Sequence, residues 1–172
     1  TGALITGRVA DKYGRKKTMI ACAILLSVTA IGVAFAAGAT FLALWRFAQG
    51  VCVGAASVLS PMYIAEVAPA KIRGKLVSFN QLSIILGILI SSVCNFYFGD
   101  NDLNSPNWRY MFLSALVPSV IFLILLFFIP ESPRWLILQS HNDKEADKIF
   151  LKINRGNESY SREEINEIRN SV

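Results

Sequence analysis

The chain has 172 residues, 53% of them hydrophobic, and a formal net charge of +5. That apolar share exceeds the roughly 45–50% of an ordinary soluble domain, and a mean hydropathy of +0.46 points the same way, so a membrane class is tested first. The positive charge does not argue for a nucleic-acid partner, because Lys and Arg crowd at the ends of apolar runs instead of along one polar face, which is the pattern of membrane topology.

The opening TGALITG reads as the last turns of an apolar helix already under way, so the sequence predicts a piece of a longer protein. Next comes G-x-x-x-D-K-x-G-R-K, from Gly7 to Lys16, expected to form a tight loop in which the glycines permit a sharp turn. Asp11 is placed there to accept hydrogen bonds from a helix N-terminus or to pair with an arginine such as Arg15.

A helix crosses the bilayer core with about 20 apolar residues. Four segments meet that length: 18–37, 41–65, 76–98 and 108–129. Arg8, Lys12, Arg15, Lys16 and Lys17 precede the first, Lys71, Arg73 and Lys75 separate the second from the third, and Arg134 follows the fourth. These three connections are expected on the cytoplasmic side. The other two, 38–40 and 99–107, contain no Lys or Arg and two aspartates.

The second full span carries Arg46, a charge that costs roughly 2.5–3.5 kcal/mol within a membrane helix on insertion scales. Gly50 and Gly54 allow a close helix neighbour, and Pro61 permits a bend. A snorkelling arginine is one reading; small residues together with a buried charge favour a helix that lines a working interior. At the end of this span Glu66, Pro69, Arg73 and Gly74 form E-x-x-P-x-x-x-R-G, where a partly desolvated ion pair made in one conformation would act as a latch.

In the third span Gln81, Ile84, Ile88, Ser92 and Asn95 share one helical stripe. Gln81 either bonds a neighbouring helix or offers a sugar two donors and an acceptor beside apolar side chains that suit its C–H faces. The fourth span ends on IPESPRWL. Pro130 stops the membrane helix and Pro133 starts the next at its first turn, which holds Glu131 and Arg134 at the inner membrane edge.

Cys22, Cys52 and Cys94 are spaced like neither a disulfide framework nor a metal site and read as small packing residues. Beyond residue 138 the chain turns polar. A helix capped by Asn142 is expected through Ile153, and a second opens on the capping box Ser161 to Glu164; both are amphipathic and cytoplasmic. The lone His141 lies in a polar connector. No catalytic constellation is visible, so no enzyme and no metal site are expected.

These motifs together resemble a sugar porter of the major facilitator superfamily, and the resemblance covers nearly the whole chain. Gly7 to Lys16 is similar to the superfamily's loop between its second and third spans, and Arg46, Gly50 and Gly54 are similar to its fourth-span pattern. PMYIAEVAPAKIRG, Gln81-Leu82 with Gly87, and PESPRWL resemble sugar porters specifically. The resemblance implies an all-α polytopic membrane fold, part of the N-terminal six-helix half. Residues 1–138 would carry the end of span two and spans three to six, and 139–172 the start of a cytoplasmic helical domain; the C-terminal half of the same protein is absent here.

It implies secondary active transport of a monosaccharide, pentose or hexose, by alternating access, as sugar:proton symport. A facilitative uniporter and a transporter-like sugar sensor are the alternatives; an anchor for a soluble enzyme would have no need of Arg46, Gln81 or paired loop charges. Gln81, Ile84 and Ile88 are implied to bind the sugar. Arg46 is implied to partner a first-span acid that takes up the proton, the expected coupling ion in place of any cofactor. Asp11, Arg15, Glu66, Arg73, Glu131 and Arg134 are implied to form a gating network. The expected setting is the lipid bilayer of a cell membrane, plasma or bacterial inner, crossed several times.

Overall fold

The computed structural model describes residues 2–98, 107–138 and 149. Seven helices follow one another: α1 (Gly2–Tyr13), α2 (Arg15–Ala34), α3 (Ala39–Val67), α4 (Ala70–Phe98), α5 (Asn107–Ser114), α6 (Leu116–Phe128) and α7 (Pro133–Leu138). Four stretches are long and apolar enough to cross a membrane: Arg15–Ala34, Ala39–Val67, Ile72–Phe98 and Arg109–Phe128. They coincide with the four spans expected from the sequence, because an uninterrupted run of about 20 apolar residues satisfies its backbone polar groups in lipid only as a helix. The expected cytoplasmic helices of 139–172, with His141, lie outside the described residues apart from Ile149, which is helical and packs on Leu136 and Ile137.

Two local expectations need correction. The stretch from Gly7 is not a loop: α1 continues to Tyr13 and a single residue, Gly14, separates it from α2. Gly14 alone makes the turn, with φ of +99°, a conformation that disfavours any residue with a Cβ. Gly7 stays helical because nothing between it and Tyr13 breaks a helix.

The fourth span is likewise not one continuous helix. It is interrupted at Ala115 between α5 and α6. Pro118 has no N–H to give the Ser114 carbonyl, and its ring crowds that same carbonyl four residues back. The chain tightens instead, with the Ala115 N–H donating to Phe112 O at 3.2 Å and the Ser114 hydroxyl to Met111 O at 2.7 Å.

α2 is the hub, packing against α3, α5 and α6. The main core joins Ala10 of α1, Met19, Cys22 and Ala23 of α2, Ala55, Leu59 and Tyr63 of α3, and Leu126 of α6. Small residues set these distances: a Cβ on Gly32 of α2 would run into the Trp45 ring of α3. The cysteines are free, Cys22 and Cys52 buried between α2 and α3. α4 lies at the edge, touching α3 and α5, with none of its span buried.

Candidate functional site

Arg15, Lys16 and Lys17 occupy the first turn of α2, and no acid accompanies them there. A helix N-terminus already carries about half a positive charge, so this arrangement requires anions from elsewhere. Two carboxylates distant in sequence supply them. Glu131, from the α6–α7 connection, accepts the backbone N–H of Lys16 at 2.8 Å and that of Ser132 at 3.1 Å through Oε1. It therefore caps α2 from 115 residues away.

Glu66, at the end of α3, meets the Arg15 side chain. Arg15 Nε lies 3.2 and 3.1 Å from Glu66 Oε1 and Oε2, and Nη2 lies 3.1 Å from Oε1. Both side chains are only 9% exposed, which separates this pair from an exposed surface bridge worth about 0–1 kcal/mol. Arg15 spends its remaining donors on Asp11 Oδ1 at 2.8 Å and on the Ala10 carbonyl at 3.2 Å. The Asp11 arm is the weaker one, since that carboxylate is 54% exposed.

Ser132 ties the two carboxylates together. Fully buried, it donates its hydroxyl to Glu66 Oε2 at 2.6 Å and accepts the Trp135 N–H at 3.3 Å. The second bond makes it the N-cap of α7, with Pro133 at the first helical position. Further bonds stitch the same segment down: Lys16 Nζ to Phe127 O at 3.1 Å, Tyr63 OH to Pro130 O at 2.8 Å, and Trp135 Nε1 to Asp11 O at 2.7 Å. The IPESPRWL stretch is thereby fastened to α1, α2 and α3 together.

The other expected gating residues stand differently. Glu66 is paired with Arg15, not with Arg73, whose side chain donates to Ala68 O at 3.4 Å and supports the α3–α4 turn. Arg134 is exposed, makes no ion pair among the described residues, and lines a cleft of about 280 Å³ with Asp11, Arg15 and Glu66. Gln81, Ile84 and Ile88 lie on α4 in a stretch, 81–90, that is exposed on every side. Arg46 is exposed on α3 and stacks its guanidinium 4.2 Å from the centre of the Phe112 ring.

Gly14, Lys16, Tyr63, Ser132 and Trp135 complete the cluster and were not marked as site residues by sequence reasoning. Two of them carry a local signal: Gly14 as a turn-permitting glycine of its motif, and Ser132 because a serine directly before Pro-Arg-Trp is an N-cap signature. Ser132→Ala is expected to lower stability by about 1–2 kcal/mol, the usual loss for an N-cap hydroxyl that here also serves Glu66. Thermal unfolding of the full-length protein checks this; Ser132→Thr should recover much of the loss, and an unchanged Ser132→Ala would remove the hydroxyl from the cluster.

The sequence matches the family described as "Sugar (and other) transporter" over residues 1–172. It is 40% identical to the putative metabolite transport protein YwtG of Bacillus subtilis over 94% of this chain and 34% of that protein. It is 37% identical to the D-xylose-proton symporter of Escherichia coli K12, over 99% of this chain and 39% of the symporter. A solved structure of the major facilitator proton:xylose symporter XylE bound to 6-bromo-6-deoxy-D-glucose superposes with a TM-score of 0.90 at 35% identity, covering 99% of this chain and 40% of that one. The chain thus spans about a third to two fifths of the length of these relatives. The helices, the fastened motifs at their ends and the end-to-end match agree: the chain is a multi-pass membrane segment belonging to the sugar porter family of the major facilitator superfamily, a family of transporters and not of enzymes.

Proposed function

We propose that the whole protein takes up a monosaccharide, a pentose or hexose, by alternating access and couples that uptake to protons. The observation that carries this reading is the buried Arg15–Glu66 pair bridged through Ser132 to the 130–138 segment. It fastens three connections on one side of the helices, and charge contacts that hold in one state and part in the other bias a two-state equilibrium. Asp11, Glu131, Arg73 and Arg134 belong to the same gate, the two arginines meeting their partners in the rest of the protein. Similarity to a D-xylose-proton symporter supports the substrate class and the coupling ion.

In this reading Gln81, Ile84 and Ile88 bind the sugar from α4, and Arg46 sets the proton affinity of an acid contributed by another span. Residues 139–172 continue the chain as cytoplasmic amphipathic helices. The test is uptake of labelled xylose, arabinose and glucose by cells making the full-length protein, with and without a protonophore. Uptake abolished by the protonophore supports symport; uptake that persists makes the protein a uniporter and removes Arg46 from coupling. No uptake with retained binding would favour a sensor.

Gln81→Ala is expected to weaken sugar binding about tenfold, the equivalent of one or two lost hydrogen bonds at roughly 0.5–1.5 kcal/mol each, while thermal stability stays nearly unchanged. Titration of the purified protein with sugar measures it. Unaltered affinity would take Gln81 out of the site.

A further inference from the structure

Away from the charge cluster, α1 and α2 diverge over α3 to leave a groove of about 440 Å³. Its walls are small: Gly2 and Thr6 of α1, Ala21 and Cys22 of α2, Cys52 and Ala55 of α3. The threonine hydroxyls are spent within their own helices, Thr6 on Gly2 O at 2.6 Å and Thr18 on Gly14 O at 2.7 Å. The walls therefore face an occupant mainly with aliphatic groups and the two thiols of Cys22 and Cys52. Among the described residues no buried side-chain polar atom lacks a partner, so nothing in the groove asks for a polar ligand.

The mouth of the groove differs from its walls. Lys17 lies on the rim, exposed and without an ion pair among the described residues. Its neighbour Lys16 turns the opposite way, to α6. Lys12 adds a second cation beside the rim residue Tyr13, 5.5 Å from its ring centre, and the nearby acid Asp11 is already held by Arg15. From Lys17 to Leu25 the groove follows α2 for eight residues, about 12 Å at 1.5 Å per residue. That is most of a bilayer half-thickness of about 15 Å, starting at the cytoplasmic boundary.

We propose that this groove is a binding site for an anionic phospholipid of the cytoplasmic leaflet. One acyl chain lies between α1 and α2 over α3, and the phosphate meets Lys17. The site is separate from sugar and proton, so it stands whether or not the transport reading holds. An apolar slot takes the chain of any phospholipid; the cations at its mouth, which make no ion pair among the described residues, select the charged headgroup, as basic residues at this boundary do.

The experiment uses the full-length protein in detergent, supplied with phosphatidylglycerol or phosphatidylcholine, with retained lipid counted by native mass spectrometry. Phosphatidylglycerol should be retained in preference. Lys17→Gln should reduce that preference about fivefold, the value of roughly 1 kcal/mol per basic residue at a membrane surface. Ala21→Phe, at an exposed position that projects into the slot, should reduce retention of both lipids. Equal retention of the two lipids, or an unchanged preference in Lys17→Gln, overturns the proposal. Undiminished retention in Ala21→Phe places the lipid elsewhere and overturns it as well, and an absence of retained lipid means another part of the protein fills the groove.

Discussion

Replacing Arg15 with methionine is expected to lower the stability of the protein by about 3–5 kcal/mol, the cost of leaving a buried carboxylate without its cation. Arg15 and Glu66 are both 9% exposed at the side chain, so water cannot replace the lost guanidinium, and the Ser132 hydroxyl compensates only in part. Asp11→Asn should cost under about 1 kcal/mol, because that arm is half in solvent. The mechanism has a distinctive signature. Arg15→Met combined with Glu66→Leu should be less damaging than Arg15→Met alone, since the second change removes the stranded charge. Thermal unfolding of the four proteins of this cycle measures it, and a double variant worse than either single one would show that the pair acts by packing and not by charge.

Gly14→Ala is expected to cost about 2–4 kcal/mol and to slow transport more than it weakens sugar binding. Two effects add. At φ of +99° a side chain brings backbone strain of roughly 1–3 kcal/mol. A Cβ would also stand 2.7 Å from Glu131 Oε2, pushing the carboxylate off the Lys16 N–H and leaving the positive end of α2 without its cap. A charged cap in such a place is worth about 0.3–2 kcal/mol. Glu131→Gln keeps the acceptor and the φ, and should lose only part of this. If Gly14→Ala proves no worse than Glu131→Gln in unfolding and in uptake, neither the turn nor the collision matters.

Both variants bear on one end of the helices, where the structure brings Asp11, Arg15, Glu66 and Glu131 together while Arg73 stays with the Ala68 carbonyl. Glu131 was expected beside the basic segments after Gly7 and Pro69, and it lies beside the first of them. Its partner is a main-chain N–H and not a side chain, because the helix start one residue after Gly14 exposes an N–H that no local residue satisfies. Glu66 was expected to pair with Arg73, seven positions further on; the structure gives it Arg15 instead.

The spans and their number were readable because they follow from local composition: about 20 apolar residues can be satisfied in lipid only as helix. The break at Ala115 was also written in the chain, in Pro118, but a single proline in a membrane helix can kink or interrupt it, and hydropathy does not distinguish the two.

The amino-acid sequence by itself determined the spanning helices, the start of a new helix at Pro133 and the family, since each depends on residues within a few positions or on motifs read in order. Only the tertiary structure decided that Arg15 pairs with Glu66 across 51 residues and that Glu131 caps α2 across 115. The reason is geometric: several acids and bases of this chain lie at the same end of the helices, and all are electrostatically suitable partners. Which of them meet depends on how α2, α3 and α6 pack, through small residues such as Ala23 and Ala55 in a core that brings three helix ends to one point.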